Sequence, residues 1–323
     1  MSVAETVPEQ RKIETSYTFV DRVFRGFVSA CALFSLVVLV LIAAFLMFRG
    51  FEIFADFGLS FITTSKWDIG NPDDPSTAVL GIGAMLVGSV VTAFIAILVA
   101  LPFAVATALF IEYYAPRFLR TLLIAALDLV AAVPSVIYGI WGYVVLLPYV
   151  EDWSATLNKY LGWFPLFSVE TPIFGRSPLL AGLLLAIMIL PIVTSVTREV
   201  YSQAPRDLVA ASYALGGTKW GGIKTVVLPF GKSGLVGGAM LGLGRALGET
   251  VAVYLTLNLV FKVNFQVLAS AGGNVASLIA NKFGEATAYE LKALMAAGLV
   301  LFLVTLLVNF FATMIVNRSR KIV

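Results

Sequence analysis

Six long runs of apolar residues with few or no charges constrain the fold of this chain more than any other feature. A helix that crosses a bilayer needs roughly 20 mainly apolar residues, and each run reaches that length. The runs cover residues 26–48, 78–110, 121–147, 178–197, 234–257 and 293–317. Charged residues make up only 13% of the chain, whereas a soluble domain carries about 25%. The sequence therefore predicts an all-α integral membrane protein with six transmembrane helices, in which residues 1–25 precede a membrane domain over residues 26–323.

The lysines and arginines between these runs predict how the chain is oriented in the membrane. Cytoplasmic loops of membrane proteins carry an excess of Lys and Arg. The larger share of these residues falls in segments that lie on the same side as the N-terminus, including the segment 198–233. Both termini are therefore predicted to be cytoplasmic, and residues 198–233 are predicted to form the one substantial cytoplasmic insertion.

The residue types that the chain lacks exclude several classes of function. It has no histidine and a single cysteine, Cys31, which excludes a Ser–His–Asp triad, a histidine zinc site, a multi-cysteine metal site and an internal disulfide framework. The net charge of +3 is scattered along the chain and does not form the basic patch of a nucleic-acid-binding protein. A membrane enzyme acting on lipid phosphate would need a histidine or clustered carboxylates. We therefore expect neither an enzyme nor a chain that binds a cofactor or nucleic acid.

The cytoplasmic insertion has the pattern of two short helices separated by a glycine turn. Pro205 suits the first turn of a helix, and Asp207 suits the positive end of its dipole. The spacing i, i+3, i+4 and i+7 places four residues on one helix face, namely Leu208, Ala211, Ser212 and Leu215. Gly216 and Gly217 are expected to end this helix, and a second helix is expected from Thr218 to Pro229. The pair either anchors the chain at the membrane surface or forms a surface that a cytoplasmic partner grips.

The same segment resembles the coupling loop of ATP-binding-cassette importer permeases. That pattern reads Glu-Ala-Ala, three residues, Gly, nine residues, Ile, one residue and Leu-Pro; here it falls on Ala210-Ala211-Ser212, Gly216, Val226 and Leu228-Pro229. Ala210 replaces the family's glutamate and Val226 replaces its isoleucine, while the spacing is kept. The resemblance implies a type I importer permease fold with a cytoplasmic coupling-helix loop at 198–233. The residues that it implies for contact with the ATPases are Arg206, Asp207, Leu208, Ala210, Ala211, Ser212, Leu215, Gly216 and Gly217.

Two membrane segments resemble the phosphate-specific permease family. The string Leu-Gly-Leu-Gly-Arg-Ala-Leu-Gly-Glu-Thr at 241–250 is more similar to the C-type subunit of that system than to its A-type companion. Asp128 and the segment Val133–Gly142 carry a second part of the likeness, which extends over nearly the whole chain from about Asp21.

This resemblance implies a set of partners and a location. The chain would form half of the translocation path of an ATP-driven phosphate importer in a bacterial plasma membrane. The other half would come from an A-type permease, with two copies of a cytoplasmic ATPase and an extracytoplasmic phosphate-binding protein. ATP and magnesium would then bind to the partner subunits and not to this chain.

An arginine in the fifth run needs an explanation of its own. Arg245 lies about 18 Å along the predicted helix, where insertion of an arginine costs about 2.5–3.5 kcal/mol. Glu249 follows at i+4 and is expected to pair with it on one helix face, and Asp128 is a second candidate partner. The group either is a structural ion pair or lines the route of an anionic solute, since a guanidinium offers phosphate a planar fork of donors. The resemblance favours the route.

Several alternatives stay open on the residues alone. Arginine does not choose among oxyanions, so a permease for sulfate, molybdate or phosphonate remains possible. An ion-coupled secondary carrier or channel is disfavoured, because such carriers usually show internal repeats and the six runs show no convincing repeat.

Small residues spaced by four at Gly234, Gly238 and Gly242, and again at Gly244 and Gly248, predict close helix packing, within the subunit or against a second permease. The prolines inside the second, third and fourth runs permit kinks; these are Pro102, Pro134 and Pro191.

Overall fold

The computed structural model of the chain describes residues 18–71, 77–169 and 173–320, and this part is almost entirely helical. Residues 1–17 of the expected N-terminal segment lie outside the described part. The long helices are α1 (Phe19–Phe57), α3 (Gly83–Leu109), α7 (Pro178–Ser202), α10 (Leu228–Gly248) and α13 (Ala288–Arg320). The shorter helices are α2 (Ser60–Thr63), α4 (Arg117–Ala132), α5 (Ser135–Trp141), α6 (Leu147–Leu161), α8 (Arg206–Ala214), α9 (Lys219–Gly222), α11 (Val251–Thr256) and α12 (Val275–Lys282). Three π-helical turns continue α3, α5 and α9 at Phe110–Tyr114, Gly142–Leu146 and Ile223–Val227.

The chain divides into two units, residues 1–45 and 46–323. In the first unit, the described part of α1 exposes nearly all its side chains. The second unit contains the other helices and a short antiparallel pair of strands, β1 (Trp67–Asp68) and β2 (Val79–Leu80), in which Trp67 lies opposite Leu80.

Five helical segments of the described chain are long and apolar enough to cross a membrane. They are Phe19–Phe57, Gly83–Tyr114, Pro178–Ser202, Lys219–Gly248 and Ala288–Met314. A sixth span is reached when α4 and the continuous helix Ser135–Leu161 are taken as one span that is bent by 90°. The structure therefore supports up to six crossings, one of them broken.

The third predicted run is not one straight helix, which corrects the sequence interpretation. Val133 and Pro134 are both extended, with ψ of 129° and 140°, and they separate α4 from α5. A proline lacks the backbone N–H and disfavours helical geometry in the residue before it. The hydroxyl of Tyr138 donates to the carbonyl oxygen of Val130 at 2.7 Å, so a side chain satisfies a carbonyl at the end of α4. Pro102 and Pro191, by contrast, lie inside continuous helices.

The fifth predicted run is also broken. Helix α10 ends at Gly248, Glu249 has an extended ψ of 125°, and α11 begins only at Val251. The run that hydropathy joins over residues 234–257 is therefore two helices with an irregular junction. The second short helix expected for the insertion also differs: it does not end near Pro229, but continues through a π-helical turn into α10. Pro229 lies in the first turn of α10, where the missing N–H is tolerated.

Glycines on one side of α10 let it lie directly against α7. A methyl group at Gly242 would lie 2.8 Å from a Val193 methyl carbon, and one at Gly234 would overlap Val200. Gly238 faces the carbonyl oxygen of Val193. Because each of these positions is filled by an α7 atom, the small-residue spacing serves packing within this chain at 234–242. Gly244 and Gly248 differ, since a methyl group there would meet no described atom within 4 Å.

Polar side chains of α13, of the end of α1 and of the strand pair contact one another in the second unit. Trp67 donates to a Glu290 carboxylate oxygen at 2.7 Å, and Glu290 is only 2% exposed. Tyr289 donates to Asp56 at 2.7 Å, and Lys292 pairs with Glu52. Charged residues that hydropathy places at the edges of spans thus form a cap on the apolar core.

We predict that Gly234→Ala destabilises the protein while Gly237→Ala does not. The added methyl group at 234 enters the space of Val200, whereas Gly237 has no described atom within 4 Å of the new methyl group. Overpacking of this kind costs about 1–3 kcal/mol. The thermal unfolding midpoint of the two purified variants in one detergent measures the difference. Equal midpoints would show that α10 does not pack on α7 as described.

Candidate functional site

Arg245 lies in the last turn of α10 and its side chain is exposed. The glycines on either side of it, Gly244 and Gly248, have open space where a side chain would be. The two residues that follow it, Ala246 and Leu247, belong to the buried apolar cluster against which Tyr138 of α5 packs. The arginine is therefore not sealed among the helices of the described chain. It lies in an open region beside the end of α4, where Tyr138 also binds the carbonyl of Val130.

Glu249 lies directly after α10 and is only 9% exposed. The expected i+4 pair with Arg245 is not formed, because the helix ends at Gly248 and the backbone of Glu249 is extended. Within the described part of the chain, no nitrogen–oxygen distance of 4.0 Å or less joins the two side chains. The Glu249 carboxylate also has no hydrogen-bond partner among these residues. The structure thus places a largely buried glutamate at the junction without an ion-pair partner within 4.0 Å among the described residues.

Asp128 lies on α4 with its side chain exposed. No ion pair links it to Arg245 among the residues that the structure describes. The three sequence-predicted residues are therefore near two helix breaks, at α4–α5 and α10–α11, but they do not form one ion-pair cluster.

Asn274 was not identified from the sequence, yet it connects the α10–α11 junction to the next helix. It is fully buried, and its amide nitrogen donates to the backbone carbonyl of Glu249 at 2.8 Å. Its amide oxygen accepts from the Ser277 backbone N–H at 2.6 Å, and the Ser277 hydroxyl accepts from the Asn274 N–H at 3.3 Å. This reciprocal capping of α12 fixes the amide that holds Glu249. The sequence signal is Asn-x-x-Ser, a variant of the capping box, directly after Gly272-Gly273.

A second buried contact holds the same region against α3. The hydroxyl of Ser89 accepts from the backbone N–H of Val275 at 3.1 Å. A methyl group on Gly88 would overlap the carbonyl oxygen of Gly273, so only glycine permits this approach. The start of α12, which carries Asn274, is thus held against α3, while Asn274 itself satisfies the Glu249 carbonyl at the junction.

The expected coupling residues lie on one exposed surface. Helix α8 has no buried residue, and Leu215 beyond its end is 90% exposed. Gly216 follows with a φ of +84°, a left-handed conformation that favours glycine. Thr218 caps the next helix by accepting from the Gly221 N–H at 3.1 Å. Eight of the nine expected residues are exposed, and Ser212 is half-buried. The exposed residues are Arg206, Asp207, Leu208, Ala210, Ala211, Leu215, Gly216 and Gly217. We call this set, with Ser212, the α8 surface.

The α8 surface rests on a small hydrophobic core of its own. Tyr201, Ala204, Ile223 and Val227 are buried together with the end of α3. The hydroxyl of Tyr113 donates to the Tyr201 carbonyl at 2.9 Å. Helix α8 is therefore anchored beneath and exposed above, as a surface that contacts another protein requires.

Comparison with known proteins places this geometry in a family. Residues 100–321 match the family described as binding-protein-dependent transport system inner membrane component. Three relatives are the phosphate transport system permease protein PstC of Xylella fastidiosa, PstC 2 of Mycobacterium tuberculosis and the probable PstC of Methanocaldococcus jannaschii. They are 39%, 39% and 36% identical over 93%, 90% and 88% of this chain, and over 92%, 89% and 90% of their own lengths. The chain belongs to the family of binding-protein-dependent transport system inner membrane components.

A solved structure has the same fold. It is an inward-facing MetNI methionine ABC transporter, with a TM-score of 0.50 over 72% of this chain and 93% of the matched chain, at 17% identity. The predicted all-α membrane permease fold is confirmed, and the chain is a multi-pass inner-membrane transport component, not an enzyme. As an inner membrane component of a binding-protein-dependent transport system, it works with a binding protein.

We predict that two substitutions of Asn274 separate its two roles. Asn274→Ser keeps a side-chain acceptor that can cap α12 but is too short to reach the Glu249 carbonyl, whereas Asn274→Ala removes both contacts. Since an N-cap contributes about 0.5–2 kcal/mol, the alanine variant is expected to unfold at the lower temperature of the two, and both below the parent. Thermal unfolding of the purified proteins measures this order. An alanine variant as stable as the parent would contradict the assigned contacts.

Proposed function

We propose that this chain is the C-type permease subunit of an ATP-driven importer of inorganic phosphate and forms half of its translocation path. The observation that carries the proposal is the exposed Arg245 in open surroundings near the end of a membrane-spanning helix. An arginine in a membrane-spanning helix is costly unless it meets water, a partner group or a solute. Relatives that cover about nine tenths of the chain and carry the name phosphate transport system permease support phosphate as that solute.

In this proposal Arg245 and Glu249 have opposite roles toward the anion. The planar guanidinium donates paired hydrogen bonds to phosphate oxygens. The buried carboxylate of Glu249, displaced from Arg245 by the end of α10, repels an anion that stays. A transport site must bind strongly enough to admit the solute and weakly enough to release it. Asp128, exposed on α4, would add a second negative charge to the path.

The remaining assignments concern partners and orientation. A second permease of the A type would supply the other half of the path. Two cytoplasmic ATPases, which bind ATP and magnesium, would contact the α8 surface and its counterpart, and a phosphate-binding protein would dock on the opposite side of the membrane. Both termini would then be cytoplasmic. The anchored and exposed geometry of α8 supports this reading, because its apolar residues Leu208 and Leu215 are 57% and 90% exposed.

We predict that Arg245→Ala abolishes phosphate uptake and leaves assembly of the transporter intact. Loss of charge-assisted hydrogen bonds to the anion is expected to lower uptake by about 10- to 100-fold or more. Arg245→Lys is expected to recover only part of it, because an ammonium lacks the planar fork. Labelled phosphate uptake into vesicles that contain the whole transporter and its binding protein measures the effect, with unlabelled sulfate as competitor.

The matched control is Arg117→Ala, which removes an exposed arginine outside the proposed path. It is expected to leave uptake unchanged. Normal uptake by Arg245→Ala would remove this residue from the path, and equal competition by sulfate would contradict phosphate as the selected anion.

We predict that Gly216→Val uncouples ATP hydrolysis from transport. A β-branched residue at a φ of +84° costs about 1–3 kcal/mol of backbone strain, and the turn that orients the end of α8 has to shift. The ratio of phosphate transported to ATP hydrolysed by the reconstituted transporter is expected to fall. Gly221→Ala, which adds a methyl group within the ordinary helix α9, is the control. An unchanged ratio in Gly216→Val would contradict contact between the α8 surface and the ATPases.

A further inference from the structure

An open apolar groove of about 740 Å³ runs along the second half of α3. It begins at Leu101, follows the helix to Phe110 and Tyr114 of the π-helical turn, and is bordered by Trp220 of α9 and Leu235 of α10. We call it the α3 groove. It lies away from Arg245 and takes no part in the proposed passage of phosphate, so the transport function does not account for it.

One end of the α3 groove carries positive charge. The ammonium group of Lys219 lies 4.6 Å from the centre of the Tyr114 ring, at the groove's border. Lys232 is exposed one helical turn before Leu235, and residues three apart lie on the same side of a helix. The nearby carboxylate of Glu112 is paired with Arg120 at 2.6 Å. Lys219 therefore lies at the groove's end, Lys232 lies on the same side of α10 as Leu235, and the Glu112 carboxylate is already paired with Arg120.

The groove's length and polarity match an amphiphile. Its helical path from Leu101 to Tyr114 covers about 20 Å, while one leaflet's share of a hydrocarbon core is about 15 Å. Tyrosine and tryptophan prefer the level of the lipid head groups, and Tyr114 and Trp220 lie together at the charged end. Lysines near a membrane surface attract anionic lipids. The lining is apolar where an acyl chain would lie and cationic where a phosphate head group would lie.

We propose that the α3 groove is a binding site for an anionic phospholipid. An acyl chain lies along α3 between Leu101 and Phe110, and the head-group phosphate meets Lys219 and Lys232 beside Trp220. Because Lys219 and Trp220 form the helix that follows the α8 surface, the bound lipid joins that surface to the membrane. The site does not depend on which anion the transporter carries.

The test uses the whole transporter in nanodiscs that contain phosphatidylglycerol with a photoreactive group in its acyl chain. Illumination is expected to label peptides from the end of α3, from α9 and from the start of α10. A parallel sample with the same photoreactive chain on phosphatidylcholine is expected to label them several-fold less. Lys219→Ala is expected to lower the preference for phosphatidylglycerol by about fivefold, without a change in labelling of the other membrane helices.

Two tryptophan variants separate binding in the groove from general contact with lipid. Leu235→Trp fills the groove and is expected to abolish the selective labelling, while Leu241→Trp adds the same bulk at an exposed position on α10 outside it. The proposal is overturned if both lipids label the groove equally, or if Leu235→Trp labels as the parent does. It is also overturned if the groove peptides crosslink only to a partner subunit, which would show that protein covers the groove. Should Leu235→Trp fail to fold, the Lys219→Ala preference decides the question alone.

Discussion

Every interruption of a helix at membrane depth has to be compensated, because the bilayer core offers no water to unpaired backbone groups. The α10–α11 junction meets this constraint through one side chain. Asn274 donates to the carbonyl of Glu249 and at the same time caps α12, so the break is held by the start of another helix. A side chain also bonds to the backbone at the α4–α5 break, where the Tyr138 hydroxyl donates to the Val130 carbonyl. Asn274 thus supplies a donor to the Glu249 carbonyl, and the Val130 carbonyl, which also accepts from the Val133 N–H at 3.3 Å, gains a second donor.

The proposed functional regions are connected by helix α10. Residues 219–248 form one membrane-spanning helical segment, with the glycine turn after α8 just before its start and Arg245 near its end. Gly234, Gly238 and Gly242 hold this helix against α7, and the core beneath α8 holds its beginning. In the proposed mechanism, a displacement of the α8 surface would pass through the short turn at Gly216 to a continuous, packed helical segment. The helix is the physical link between an ATPase-contacting surface and an anion path in the proposed mechanism.

The sequence was sufficient for those parts of the fold that depend on local composition. The apolar runs identify the membrane helices, and Pro205, Asp207 and Gly216 identify the short helix α8 and its end. The breaks could not be predicted in this way, because they depend on distant contacts. Pro102 and Pro191 are prolines in apolar runs just as Pro134 is, yet only Pro134 marks a sharp bend. No proline marks the end of α10, whose junction is held by Asn274, 25 residues further along the chain.

The same reasoning explains why pairing of Arg245 with Glu249 was a wrong prediction, although the choice of these residues stays open to test. A spacing of four makes a pair only while the helix continues, and the helix ends between them. The end of α10 leaves the Arg245 side chain exposed and Glu249 largely buried at the junction. Irregular backbone at membrane depth is tolerated where it is buried in protein or lines a water-filled cavity. In the proposed function, two helix breaks near one exposed arginine would serve a hydrated path for an anion, whereas a structural ion pair would need neither break.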